Sequence, residues 1–165
     1  MLVASDGPDQ LTLSTDREQS ETSHKMYSLD ELKTQNQEIS DLCAVLSVLV
    51  EQPSLHNNPY VCELMGRFRE KVWIHLVFED NTIYSTLAEH KNANVSSVAK
   101  DFHDSARKIK KRFSGYVRRW CNPSVGEDEH DQLVQESREI IQLIKDRVKY
   151  ENEKMFPLVT EHHAA

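Results

Sequence analysis

The sequence predicts an all-α protein, an up-down-up-down four-helix bundle, and three observations predict it. Apolar residues recur at spacings of three and four over four long stretches, with no competing period-two alternation. Gly (4) and Pro (5) are scarce and charged residues make up 28% of the chain, which suits helices with solvated faces. The stretches are separated by short segments carrying Asn and Pro, so neighbouring helices should pack antiparallel.

Residues 1 to 27 are polar, lack periodicity and read as a flexible tail. Ser28-Leu29-Asp30-Glu31 has the form of a capping box, with Ser28 as cap and Glu31 reaching back. The first helix then turns Leu32, Asn36, Ile39, Leu42 or Cys43, Leu46 and Leu49 inward, and Gln52-Pro53 ends it. Asn58 caps the second helix with Pro59 in its first turn. This helix runs to about His90, with Val61, Leu64 or Met65, Phe68, Val72, His75, Glu79 and Ile83 on its inner stripe.

Asn92 to Ser96 supplies the next turn and cap. The third helix places Val98, Phe102, Ala106, Ile109, Phe113, Tyr116 or Val117, and Trp120 inward, and Asn122-Pro123-Ser124-Val125-Gly126 breaks it. The fourth starts near Glu129 and aligns Leu133, Ile140, Ile144, Arg147, Glu151, Met155 and Leu158. The bundle thus spans residues 28–160 as one domain, followed by a short tail over 161–165.

Composition narrows the function. A net charge of −7 argues against a general nucleic-acid or anionic-membrane binder. Three cysteines, Cys43, Cys62 and Cys121, are an odd number without a C-x-x-C pair, so a disulfide framework and a cysteine metal site are not expected. The N-terminal residues lack the basic start and long apolar run of a secretion signal, and no apolar stretch is long enough to span a bilayer. A reduced, cytoplasmic protein is the expectation.

The informative residues are those that interrupt the apolar stripes. His75 and Glu79 lie one turn apart on an inward face, and a buried carboxylate without a partner costs several kcal/mol. Glu79 therefore needs a metal, an arginine or a protonated histidine. The second and fourth helices also echo one another. His75-Leu-Val-Phe-Glu79-Asp-Asn-Thr-Ile-Tyr84 sets against Arg147-Val-Lys-Tyr-Glu151-Asn-Glu-Lys-Met-Phe156, which makes Glu79 and Glu151 equivalent positions in two pseudo-symmetric halves.

On these motifs, His75-Leu-Val-Phe-Glu79-Asp-x-x-Ile-Tyr and Tyr150-Glu151-x-x-x-Met-Phe-Pro157, the chain resembles the hemerythrin-like (HHE cation-binding) family over roughly residues 28 to 160. The resemblance implies a four-helix bundle that holds two non-haem irons through histidines and two bridging glutamates. It maps the metal ligands to His75, Glu79, His103 and Glu151. Two positions depart: the first-helix His is Asn36, and the fourth-helix His is Arg147. In bacterial members of that family both serve the same iron, so a full di-iron centre is not expected.

Arg147 cannot lose its proton and forks well onto carboxylates, so with Asn36 it can form a core network that replaces the missing cation. Two states follow. In one the core is metal-free, and the bundle is a non-enzymatic regulatory or interaction module with a protein partner. In the other, one non-haem metal ion, iron by preference, sits at His75, Glu79, His103 and Glu151 and senses or binds dioxygen, nitric oxide or iron.

Other features have blander readings. The basic third helix (Lys100, Arg107, Lys108, Lys110, Lys111, Arg112, Arg118, Arg119) would serve an acidic partner or nucleic acid. Its aromatics fall on the core stripe, however, so a solvated face is the simpler account. Glu127-Asp128-Glu129 lacks the ligand spacing of a calcium loop, and Glu127-x-x-His130 opens a helix where a ferritin-type pair would need an interior position. His24, His56, His90, His162 and His163 lie near termini or turns and should be solvated. Trp73 and Ile74 fall off the inner stripe, at the edge of an oligomer or partner surface or simply exposed. No nucleophile elbow or phosphate loop is present.

Overall fold

The structure is a computed structural model that describes the backbone of residues 11–163 and the side chains of 29–161 except residue 127. Four long helices form the bundle: α1 (Leu11–Leu49), α2 (Pro59–Glu79), α3 (Ala93–Trp120) and α4 (His130–Tyr150). Each packs on the next, and α1 also packs on α4. No strand occurs among the described residues. Nor is any described helix long and apolar enough to cross a membrane.

The expected caps at Asn58 and Asn92 are present. Asn58 Oδ1 accepts from the amides of Tyr60 and Val61, and Asn92 Oδ1 accepts from that of Asn94. Ser28 is a correction. Helix α1 runs through it and begins at Leu11, so the Ser28–Glu31 motif lies inside a helix and residues 11–27 are helical where no periodicity predicts it. That segment contains neither Gly nor Pro, and many of its residues (Leu, Arg, Glu, Gln, Lys) tolerate helix well, so nothing in it stops propagation. Residues 1–10 lie outside the described chain. At the other end, helix continues to His163 through Phe156–His163.

Helices α2 and α4 share an irregularity. Each passes into a five-residue π-helical turn, Asp80–Tyr84 and Glu151–Met155, before resuming as α-helix. Through these turns a line of buried residues runs over His75, Glu79, Ile83 and Leu87 on one side, and over Arg147, Glu151, Met155 and Val159 on the other. All are spaced by four. In a regular α-helix a step of four advances by roughly 40° beyond a full turn, so three such steps would carry a residue off the core face. The wider π turn takes up that drift. Each bulge keeps a carboxylate and the apolar residues beyond it on one line.

The core consists of two apolar clusters. The larger includes Ile39, Phe68, Leu76, Ile109, Trp120 and Ile144; the smaller includes Leu32, Ile83, Leu87, Phe102, Met155 and Phe156. Five of the seven buried polar residues among those described fall between the two clusters: Asn36; His75 and Glu79; Arg147 and Glu151. The other two, His130 and Ser137, lie nearer the start of α4. A single polar layer thus crosses the bundle, and the site lies in it.

Candidate metal centre held by an arginine

Arg147 is the hub of this layer. Its Nε donates to Glu151 Oε1 at 2.8 Å and its Nη2 to Glu79 Oε2 at 2.7 Å. Nη1 donates to Ser105 Oγ at 2.6 Å and to the carbonyl of Phe102 at 3.2 Å. The guanidinium carbon lies 3.7 Å from the centroid of the Phe102 ring, a cation–π contact. Glu79 and Glu151 are 2% and 0% exposed, so the two carboxylates and the cation meet away from water, where unpaired charge would be costly.

His75 completes the layer. Its Nε2 lies 2.9 Å from Glu151 Oε2 and its Nδ1 lies 3.0 Å from Gln35 Oε1. The Gln35 amide nitrogen donates to Glu31, which leaves the amide oxygen facing the imidazole. Both ring nitrogens therefore face acceptors, and a doubly protonated imidazolium satisfies both. Two carboxylates, one guanidinium and one imidazolium sum to zero formal charge, the balance a buried layer requires. Moving the imidazolium proton to Glu79 keeps the sum.

The carboxylates are pushed in opposite directions. Burial and the charge of Glu151 raise the Glu79 carboxyl to about 7, against the opposing pull of Arg147 and His75. Burial pushes Glu151 up too, but the hydrogen bond and charge of His75, the charge of Arg147 and the Asn36 amide together hold it below the ordinary value. Two atoms of the layer are buried without a hydrogen-bond partner, Asn36 Oδ1 and the carboxylate oxygen Glu79 Oε1.

The polar layer brings together five of the six expected residues. His75, Glu79 and Glu151 form the one described group of three or more potential ligands, with a donor atom from each all within 4.8 Å of one another. Arg147 reaches both carboxylates, as its position one turn before Glu151 predicts. Asn36 is buried alongside, donating to Asn152 Oδ1 at 3.3 Å, while its own Oδ1 has no partner.

His103 is the exception. Its Nδ1 faces Asp80 Oδ1 at 2.8 Å and its ring stacks on Tyr84, with 4.1 Å between centroids. It is partly exposed. The reason is register on α3: Phe102 is the buried residue at this level, and the next position points roughly 100° away around the helix, which turns His103 towards Asp80. Asp80, the first residue of the π turn, holds the imidazole outward, and Lys110 approaches the same carboxylate at 3.5 Å.

Sequence reasoning missed three participants. Gln35 orients His75, Ser105 holds Arg147, and Phe102 supplies both a ring face and a carbonyl. Gln35 and Ser105 are short of full burial and lie beside the apolar stripes, so periodicity gives no signal for them. At the far end of the bundle, His56 is also not solvated as expected. It is half-buried against Val125, Trp120 and His130. Cys43, Cys62 and Cys121 are free thiols, and burial pushes that of Cys43 up to about 11.

A four-helix bundle with a His–Glu pair on one bulged helix and an Arg–Glu pair on another resembles the metal-carboxylate bundles, with a guanidinium in the place of one imidazole. The chain matches the model of the hemerythrin HHE cation binding domain over residues 28–159, and it belongs to that family. No curated protein and no solved structure matches it.

Proposed function

We propose that this chain is a non-enzymatic regulatory or interaction module, a hemerythrin-type bundle whose resting core cation is the Arg147 guanidinium. The observation that carries this reading is the pair of charge-assisted hydrogen bonds from Arg147 to Glu79 and Glu151. These are the two carboxylates that the family resemblance gives to the metals. A second metal does not fit these residues. Asn36 stands where a ligand histidine is needed and is turned to Asn152, Arg147 stands where another is needed, and His103 is bound to Asp80. The exposed Trp73, Ile74 and Val77 on α2 offer a surface on which a protein partner would dock.

A second reading rests on Glu79 Oε1. A buried carboxylate oxygen without a partner, beside His75 and Glu151, fits the donor set of one divalent metal. In that reading His75 Nε2, Glu79 and Glu151 are the ligands, Gln35 orients the imidazole, and a bound iron would supply Lewis acidity and affinity for dioxygen or nitric oxide.

Elemental analysis separates the two. Protein purified anaerobically, loaded with ferrous iron and desalted should hold no more metal than a Glu79→Ala control if Arg147 is the resting cation. About one metal per chain that survives desalting and is lost in the control would establish a mononuclear iron site.

A further inference from the structure

Arg147, the cation of the charged layer, also lines an open cleft. Between α3 and α4 lies a cavity of about 530 Å³ whose wall includes Phe102, Ser105, Asp101, Asp146, Tyr150 and Arg147 itself. The Phe102 ring on which the guanidinium rests is stacked with Tyr150, 5.6 Å between centroids, so an aromatic wall runs from the core contact towards the cleft. Asp101 makes no hydrogen bond or ion pair among the described residues, and Asp146 accepts only from the Gln142 amide. Two carboxylates without an ion-pair partner thus share a cavity with a guanidinium that is committed inward. Of the other cations on its wall, Arg112 is paired with Glu139 and Lys108 makes no ion pair among the described residues.

We propose that Arg147 is an exchangeable latch. It withdraws from Glu79 and Glu151 along the Phe102–Tyr150 wall towards Asp101 and Asp146, and so uncovers His75, Glu79 and Glu151 for one divalent cation. This rests on the reading of Arg147 as the resting cation and adds how that cation is released. Charge counting drives the exchange. A divalent cation beside two carboxylates and a neutral imidazole, the His75 Nε2 proton having passed to solvent, is balanced, whereas retaining the guanidinium leaves one uncompensated positive charge in a buried layer. Withdrawal removes that charge and gives it anionic partners at the cleft. The buried Glu79 Oε1 is then the acceptor that lacks a partner while the latch is closed. Binding by exchange is weaker than binding to a free site, because the affinity is reduced by the small fraction of open latch.

The test is equilibrium titration with Co2+, whose visible bands report the ligand set, under strictly metal-free starting conditions. Arg147→Met, which removes the competitor, should bind Co2+ at least tenfold more tightly than the wild type. Asp101→Asn with Asp146→Asn, which removes the receivers and no ligand, should bind it several-fold more weakly. Placed on the Arg147→Met background, the same two aspartate changes should have little effect, because no latch is left to receive.

Equal weakening in both backgrounds, or an Arg147→Met protein no tighter than the wild type, overturns the latch. Should Arg147→Met fail to fold, the aspartate pair in the wild-type background decides alone, and unchanged affinity overturns it. If no variant binds Co2+, the latch falls while Arg147 as a fixed cation survives. Wild-type protein that holds the metal tightly and indifferently to Arg147 removes that reading as well.

Discussion

Replacing Arg147 by methionine tests the energetics of the layer, because it keeps an unbranched stem against Phe102 while removing the charge. The change deletes four donated hydrogen bonds and leaves Glu79 and Glu151 with only His75 as a charged partner. Removing one member of a buried ion pair costs about 3–5 kcal/mol, most of it the penalty of the stranded charge.

That cost depends on pH in a defined direction. Glu79 sits at about 7 with Arg147 in place, and loss of the cation raises it further. In mildly acidic buffer the variant carries a neutral Glu79 and escapes part of the penalty; in mildly basic buffer it does not. Urea denaturation of chelator-treated protein should therefore show a loss of about 3–5 kcal/mol at basic pH, a fall of roughly 6–20 °C in Tm for a chain of this size. At acidic pH the loss should shrink by at least about 1 kcal/mol. A loss below about 1 kcal/mol at basic pH, at unchanged m-value, would refute the claim that Arg147 balances two buried carboxylates.

Other consequences follow from the same geometry. The Glu79 carboxyl is raised in the folded state, from 4.5 to about 7, so its contribution is complete below the lower value and lost as pH rises through the upper. This corresponds to about 3 kcal/mol as an order of magnitude. Glu151 is lowered and acts oppositely, its contribution being lost as pH falls below the ordinary value. Stability measured by urea titration across pH should thus peak in mildly acidic buffer, and Glu79→Gln should flatten the basic limb; an unchanged limb would contradict the assignment. His103→Ala should leave Co2+ affinity within about twofold of wild type, since His103 contacts Asp80 and not the core; a large loss would return it to the ligand set. Asn36→His combined with Arg147→His should raise the number of Co2+ ions bound per chain, and no gain would count against a metal-binding ancestry for the layer.

The four helices were legible because their apolar residues recur at spacings of three and four and their connections carry caps that the structure uses. His75, Glu79 and Glu151 were legible for a related reason: a polar residue on an apolar stripe must be accounted for, and the echo between α2 and α4 ties the two glutamates together. Arg147 was legible because its spacing from Glu151 is one helical turn. The start of α1 was not, since a polar segment without Gly or Pro can be helical without any amphipathic pattern to announce it. The π turns were equally hidden, because a run of four-residue spacings is also compatible with a drifting α-helix. His103 was misassigned because its neighbour Phe102 occupies the inward position, and a one-residue difference on a helix lies within the tolerance of periodicity.

The most direct test of the central claim, that a guanidinium is the resting cation of this bundle, is the nitrogen-15 resonance of the Arg147 Nε–H group in chelator-treated protein. A buried, doubly paired guanidinium should show an Nε proton that exchanges with water orders of magnitude more slowly than those of exposed arginines such as Arg67. That protection should fall in Glu151→Gln, whose Oε1 accepts the Nε proton. An Arg147 Nε proton exchanging as fast as that of Arg67 would contradict the account and leave the two glutamates in need of another cation.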